Sequence, residues 1–376
     1  MGASAPQSDR RRASSETGSG NRRTTIQDVA DRLGISKATV SRALNDYPDI
    51  SERTRLRVAR MSEQMGYRPL AQAQAIRTGR ARSIGLVLSV DADNAQKPFL
   101  TDFLDGICQA ASAAHWTVTV ATATSEAEGV ATMRRLIEER KADGFILPRT
   151  RIHDQRIELC RAADVAFVLY GRTGNEDGCA WYDIRGEEAM RAAVERLTGL
   201  GHRRIGFING RPEYFYAPLR RAGFEQAMEQ AGLVPDPVLM REGATTPEAG
   251  ATQAEALLDA RRPPTAIICA LDAAALGVFR AARARGMKIG RDLSVIGYDG
   301  IPEGAYSWPG LTTFAVDSRA AGGRLAEMLM ARVRGTPPEE LRELGQARLV
   351  VRGSDGPAPE APGARPRPPE NQQRRK

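Results

Sequence analysis

From Gly79 onward the chain alternates short apolar runs with amphipathic stretches of ten to fifteen residues, and this alternation leaves few architectures open. The runs are Ile84–Leu88, Trp116–Ala121, Gly144–Leu147, Ala166–Leu169, Ile205–Ile208, Ala266–Ala270 and Ser294–Gly297. Strands separated by helical stretches read as parallel sheets with helices on both faces. More than two hundred residues of this pattern are generous for one sheet, so two similar lobes are expected. In such folds ligands bind where strand ends face each other across a cleft.

The segment before Gly79 follows a different rule. Between Thr25 and Gly66 it reads as three or four short helices, with Thr25, Ser36 and Ser51 as N-caps whose side chains accept from otherwise orphaned backbone N–H groups. Apolar residues follow at helical spacing: Ile26, Val29, Ala30 and Leu33, then Val40 and Leu44, then Leu56, Val58, Met61 and Met65. Thr25–Asn45 holds the parts of a helix-turn-helix. Ala30 is small enough for the second helix to approach the first, Gly34 can take the left-handed conformation of the tight turn, and Val40 packs back onto the first helix. Ser36 caps the second helix, so side chains just inside its start point outward, where a recognition helix meets base edges.

Charge supports that reading. Of a net +8, most sits in residues 1–80, which hold 15 Lys/Arg against 8 Asp/Glu, as expected for phosphate contacts at one end of the molecule. Residues 1–23 lack large apolar side chains and are expected to be a disordered basic arm. From Pro357 the composition turns to Pro, Gly, Ala and Arg. The expected organisation is therefore an arm (1–23), a helix-turn-helix DNA-binding domain (24–67), a connecting segment (68–80), a two-lobed domain with a ligand cleft (81–353) and a disordered tail (354–376). No window approaches the roughly 18 consecutive apolar residues of a membrane span, and the N-terminus lacks the apolar stretch of a secretory signal, so a cytoplasmic location is expected. Cys108, Cys160, Cys179 and Cys269 are widely spaced with no His at ligand spacing, and read as reduced core thiols. No metal and no cofactor is expected.

The twenty-one residues from Thr25 to Asn45 resemble the LacI/GalR signature, down to the closing Thr-Val-Ser-Arg-x-Leu-Asn. The resemblance implies an all-α helix-turn-helix DNA-binding domain followed by an α/β periplasmic-binding-protein-like core of two doubly wound lobes. It makes Lys37 and Ala38 variable base-reading positions and Arg42 the arm that grips guanine O6 and N7. Ser36, Thr39, Ser51 and Thr54 would contact phosphates, and Thr25, Asn45, Tyr67, Ala73 and Arg77 complete the DNA-facing set. Gly66–Gly79 is similar to the family's hinge, with Pro69 suited to the first turn of a helix that forms only when a partner hinge and DNA stabilise it. Ile76 stands where the family places a leucine that wedges into the minor groove, and Leu70 where an Asn is usual.

The resemblance covers nearly all of residues 25–353. In the core it rests on Gly201-His-Arg-Arg-Ile-Gly-Phe-Ile, Arg220-Arg-Ala-Gly-Phe224, Asp292-Leu-Ser-Val-Ile-Gly-Tyr-Asp299 and Pro309-Gly-Leu-Thr-Thr313. Arg220 offers a planar fork of donors and Asp299 an acceptor-only carboxylate, a pair able to clamp vicinal hydroxyls of a sugar. Phe99, Trp181 and Trp308 could stack on a pyranose face. Asp91, Arg149 and Asp272 complete the expected effector set. Ile184 and Leu271 replace frequent asparagines. The expected function is a sequence-specific transcriptional regulator, a repressor, controlled by a sugar effector. A homodimer should read a near-palindromic double-stranded operator. An enzyme is not expected: there are only three histidines, no phosphate-binding Gly-x-x-x-x-Gly-Lys, and no recognisable catalytic setting. A periplasmic-type binding protein would fit the core alone but not the attached DNA module.

Overall fold

The structure, a computed structural model, describes residues 24–68, 80–89 and 97–359, the last beginning with three residues of backbone alone. The chain divides into two compact units, residues 1–79 and 80–376.

In the first unit, α1 (Ile26–Leu33), α2 (Lys37–Ala43) and α3 (Glu52–Gln64) start at the three expected caps. Thr25 and Asp28 form a reciprocal capping box: the Asp28 N–H donates to Thr25 Oγ1, and the Thr25 N–H donates to Asp28 Oδ2 at 2.7 Å. Gly34 takes φ +64° at the turn. Val29, Ala30, Val40, Ala43 and Val58 are fully or almost fully buried and form the core. Leu56, expected in this core, is instead 53% exposed. The inward face of α3 runs through Val58, Met61, Ser62 and Met65, and a residue two positions before Val58 lies roughly 200° round the helix from it.

The second unit contains two six-stranded sheets. The first lobe holds β1 (Ser83–Ser89), β2 (Thr117–Ala123), β3 (Gly144–Pro148), β4 (Ala166–Tyr170), β5 (Ala180–Ile184) and β11 (Arg342–Gly345), in the order β11-β5-β4-β3-β1-β2, all parallel. Around it lie α4 (Lys97–Ala113), α5 (Glu126–Glu138), α6 (Gln155–Ala162) and α12 (Ser318–Arg334). The second lobe holds β6 (Ile205–Ile208), β7 (Met240–Arg241), β8 (Ala266–Cys269), β9 (Ser294–Asp299), β10 (Thr312–Ala315) and β12 (Arg348–Val350), ordered β12-β10-β9-β8-β6-β7, with β12 alone antiparallel. Its helices are α7 (Gly186–Gly199), α8 (Tyr216–Gln230), α9 (Pro247–Leu258), α10 (Asp272–Ala284) and the short α11 (Pro302–Tyr306).

All seven expected strands are present. The five further ones, β5, β7, β10, β11 and β12, have two to five residues each and polar members, and so lacked the apolar-run signal. The chain crosses between the lobes three times, between β5 and α7, between β10 and α12, and between β11 and β12. α12 packs on α4 and on β3, β4 and β5, so residues 318–345 complete the first lobe.

The expected tail begins too early. Ser354 is fully buried: its Oγ donates to Val295 O at 2.6 Å and accepts from Thr312 N at 2.7 Å. The Asp355 carboxylate, also fully buried, accepts from Arg196 Nε at 2.6 Å and from Thr312 Oγ1 at 2.5 Å. His202 Nε2 lies 3.0 Å from Gly356 O, with Nδ1 2.8 Å from Thr265 Oγ1. A Pro/Gly-rich composition signals absence of regular structure, not absence of order, which here comes from side chains elsewhere in the lobe. Asp355→Ala leaves Arg196 without its buried partner and should lower the unfolding free energy by about 3 kcal/mol, seen as a lower urea midpoint at unchanged slope.

Candidate functional site

Two places carry functional geometry, one in each unit. In the first, Lys37, Ala38 and Arg42 are exposed on α2, with Ala38 and Arg42 one turn apart on the same face. The Arg42 guanidinium is already positioned: Nη2 lies 2.6 Å from Asp49 Oδ2, and Cζ sits 5.1 Å from the Tyr47 ring centroid. Sequence reasoning missed both neighbours, because they sit on an irregular loop that carries no periodic signal. Ser36 with Thr39, and Ser51 with Thr54, pair their hydroxyls at 2.8 and 2.9 Å at the starts of α2 and α3. Three members of the expected DNA-facing set have internal tasks. Thr25 is engaged in its capping box, the Asn45 amide turns back to Ser41 O, and Tyr67 packs on the domain core, where burial raises its phenol pKa. Leu70, Ala73, Ile76 and Arg77 lie outside the described residues.

In the second unit, the C-terminal ends of β3, β4, β5 and β9 face α8 across a cleft of about 130 Å³. One water needs roughly 10–15 Å³ of such space, so the cleft accommodates a small organic guest. Two landmark glycines explain how its walls come together. A Cβ on Gly223 would lie 2.2 Å from Glu187 O, so glycine lets α8 settle against α7 and brings Arg220 to the cleft. A Cβ on Gly297 would lie 2.0 Å from Asp272 Oδ1, so glycine leaves room for that carboxylate beneath β9.

Arg220 is buried between two aromatic rings, with Cζ 4.6 Å from the Tyr216 centroid and 3.8 Å from that of Tyr298. Its Nη1 donates to Ala270 O at 2.5 Å, while Nε has no hydrogen-bond partner. The Tyr216 hydroxyl is also buried without a partner. Asp299 ends β9 at φ +122° and Arg149 follows β3 at φ +52°, two strained backbones of the kind that cluster at ligand clamps. Burial pushes the Asp299 carboxyl up to about 7, against the pull of the Arg220 and Arg149 cations. Arg172 donates through Nε to Asp183 at 2.7 Å and through Nη2 to Glu187 at 2.7 and 2.9 Å. The lining thus holds three arginines, Arg149, Arg172 and Arg220, and three carboxyl groups, Asp183, Glu187 and Asp299, of which Asp183 and Glu187 are taken up by Arg172.

Of the eight effector residues expected from sequence, Arg149, Arg220 and Asp299 line this cleft. Asp272 does not. It is fully buried behind the wall, where its carboxylate accepts from Gly300 N at 2.8 Å, Ile301 N at 2.9 Å and Thr313 Oγ1 at 2.7 Å. Trp181 lies in the first lobe's core at 8% exposure, and Trp308 is 87% exposed away from the lining. Neither can stack on a guest there: the first alternates inward on β5, and the second rides the loop after α11. Asp91 lies outside the described residues, as does the Phe99 side chain. The aromatics that do line the cleft are Tyr170, Tyr216 and Tyr298. Tyr170 and Tyr298 sit at or near the ends of strands, a position that could have singled them out. Ile184 and Leu271 both face the cleft, so the two missing amides are replaced by apolar wall.

The cysteines need one correction. Cys160, Cys179 and Cys269 are buried, and burial pushes the Cys160 thiol up to about 12, but Cys108 is exposed on the outer face of α4, next to inward-facing Ile107. Among the described residues no helix is long and apolar enough to cross a membrane, and no cluster of His, Cys, Asp or Glu could hold a metal ion.

The raised Asp299 carboxyl makes stability depend on pH. The folded state holds the proton more tightly than the unfolded chain, so the contribution is complete below 3.8 and is lost as pH rises to about 7. Asp299→Asn should therefore make the fall of the urea midpoint between those values shallower, by at most about 4 kcal/mol overall, than in the unsubstituted protein.

Comparison with known proteins bears on both places. Residues 25–69 match the family model for bacterial regulatory proteins of the lacI family, and residues 194–354 match the periplasmic binding protein-like domain. Over 343 residues the chain is 36% identical to the HTH-type transcriptional regulator AglR of Rhizobium meliloti (strain 1021), covering 89% of this chain and 95% of that protein. Its fold is similar to the transcriptional regulator CelR in complex with cellobiose, with TM-score 0.69, 28% identity, and coverage of 88% of this chain and 100% of the other. It is also similar to the lac repressor dimer bound to operator and the anti-inducer ONPF, with TM-score 0.75, 26% identity, and coverage of 89% and 100%.

Proposed function

The chain belongs to the lacI family of bacterial regulatory proteins, and from that membership we propose that it is a cytoplasmic, sequence-specific transcriptional repressor governed by a carbohydrate. One observation carries the effector reading. The buried Arg220 Nε and Tyr216 hydroxyl, each without a hydrogen-bond partner, belong to residues that line the same cleft as Asp299. Buried polar atoms without partners are rare in folded proteins, and a polyhydroxyl guest supplies both the acceptors and the donors they need. Tyr170, Ile184, Leu271 and Tyr298 offer apolar surface for the C–H faces of a sugar ring.

At the other end, Lys37 and Ala38 present variable chemistry and Arg42 a pre-oriented fork for guanine. One such helix makes too few contacts for specific binding, whereas two related by a twofold axis occupy successive major grooves of a near-palindromic operator, so the working unit is a homodimer. Effector binding alters lobe closure, and through the dimer this resets the spacing of its two hinges and the affinity for DNA. We assign the core no catalytic step.

Two substitutions separate the two ends. With a duplex selected from a random-sequence library, Arg42→Ala should weaken specific binding by about a hundredfold for two lost guanine contacts, with non-specific binding nearly unchanged. Retention of full affinity removes Arg42 from the reading surface. In calorimetric titrations against mono- and disaccharides including cellobiose, Arg220→Ala should weaken the best-binding sugar at least tenfold while leaving DNA binding intact. Unchanged titration takes Arg220 out of the pocket.

A further inference from the structure

The two lobes touch by backbone at a place far from their covalent crossovers. The loop after β3 and the loop after β6 form an antiparallel bridge between Arg151 and Tyr214. The Ile152 N–H donates to Glu213 O at 3.0 Å and the Phe215 N–H donates to Thr150 O at 3.0 Å. Side chains reinforce the bridge: the Arg151 guanidinium lies 5.1 Å and that of Arg149 5.8 Å from the Tyr214 ring centroid. Tyr214 in turn stacks on Tyr216 at 5.8 Å.

Both loops are held stiffly. On the first lobe, the buried Asp154 accepts from Arg151 N at 3.1 Å, and Arg156 donates both to Asp154 and to Arg149 O. On the second, Tyr214 N donates to Arg211 O and Ala217 N to Tyr214 O. The crossovers follow β5, β10 and β11, whereas β3 lies two strands from β5 and β6 three strands from β10. The bridge therefore spans the rim of the cleft opposite its hinge, immediately beyond the lining residues Thr150 and Tyr216.

We propose that this bridge is the gate of the cleft, and that Arg151 and Tyr214 set how fast an effector enters and leaves without touching it. The inference rests on the cleft being an effector site. Three covalent crossovers keep the lobes together, so the motion that admits a guest is rotation about them, and that rotation must first part the two hydrogen bonds between loops 150–152 and 213–215. Two backbone bonds and a stacked tyrosine are few enough to break and re-form on a functional timescale.

The geometry supplies its own test. Because the flanking bonds run 152 to 213 and 215 to 150, positions 151 and 214 form the closely spaced kind of antiparallel pair, with Cα atoms about 4.5 Å apart and within the span of a disulfide. The exposed native thiol is first removed as Cys108→Ser, and Arg151→Cys is combined with Tyr214→Cys. Mild oxidation without sugar should consume both introduced thiols. The oxidised protein should then take up and release the best-binding sugar of a panel including cellobiose at least tenfold more slowly, with dithiothreitol restoring the rate. Tyr214→Ala should speed both uptake and release.

A pair that stays reduced while each single cysteine reacts with maleimide overturns the gate, as does an oxidised protein that exchanges sugar at the reduced rate. In the unsubstituted protein, the Ile152 and Phe215 amides should be protected from hydrogen exchange, and exchange at the rate of free chain overturns the bridge without any substitution. If no sugar binds the reduced protein, the effector reading falls and the gate with it. A failed cross-link with intact sugar binding removes the gate alone.

Discussion

A single buried carboxylate organises the second lobe's side of the cleft. Asp272, in the first turn of α10, gathers two backbone N–H groups from the loop after β9 and a hydroxyl from β10. Burial raises its pKa and the three donors oppose that shift, so the charge is tolerable only while all of them stay in place. Its consequences run outward. Gly297 must lack a side chain to leave it room, the chain leaves β9 through the strained backbone of Asp299, and the Asp299 carboxyl is delivered beside Arg220. What presents itself as a binding residue in sequence is thus the fastening that positions one.

The cleft's arginines divide by task in the same way. Arg172 closes on Asp183 and Glu187 and so fixes the mouth of the first lobe against the start of α7. Arg220 has no carboxylate in its grip and is held by tyrosine faces, which orient a guanidinium without using up its donors. An arginine neutralised by an internal acid adds rigidity, whereas one held by rings keeps its hydrogen-bonding capacity for a guest. In the DNA-binding unit the two modes act together, Asp49 and Tyr47 sharing the Arg42 guanidinium.

How much of this was legible follows from where the information resides. Helix caps are local, so Thr25, Ser36 and Ser51 could be read directly. Buried parallel strands are apolar runs, so β6 and β8 stood out, whereas β10, with Thr312 and Thr313, did not. Arg149, Arg220 and Asp299 could be placed because strand ends and a landmark arginine point to a cleft. Trp181, Trp308 and Asp272 were misjudged because side-chain type says what a residue can do, not which way it faces. Tyr216 and Arg172 were missed since their importance comes from neighbours distant in sequence. Ser354 and Asp355 hid in a composition that normally means disorder, their order being supplied by Thr312, Arg196 and Val295.

The threefold passage of the chain between lobes also bears on how the molecule is made. The first lobe lacks β11, an edge strand of its sheet, and α12, the helix that covers β3 to β5, until residue 345 has been synthesised. A ribosome-bound chain that has completed β1 to β5 therefore lacks the helix that covers β3 to β5 through more than a hundred residues of further translation. Neither lobe is a contiguous segment that can be excised and expressed by itself, and the nascent first lobe is the part of this protein most in need of a chaperone.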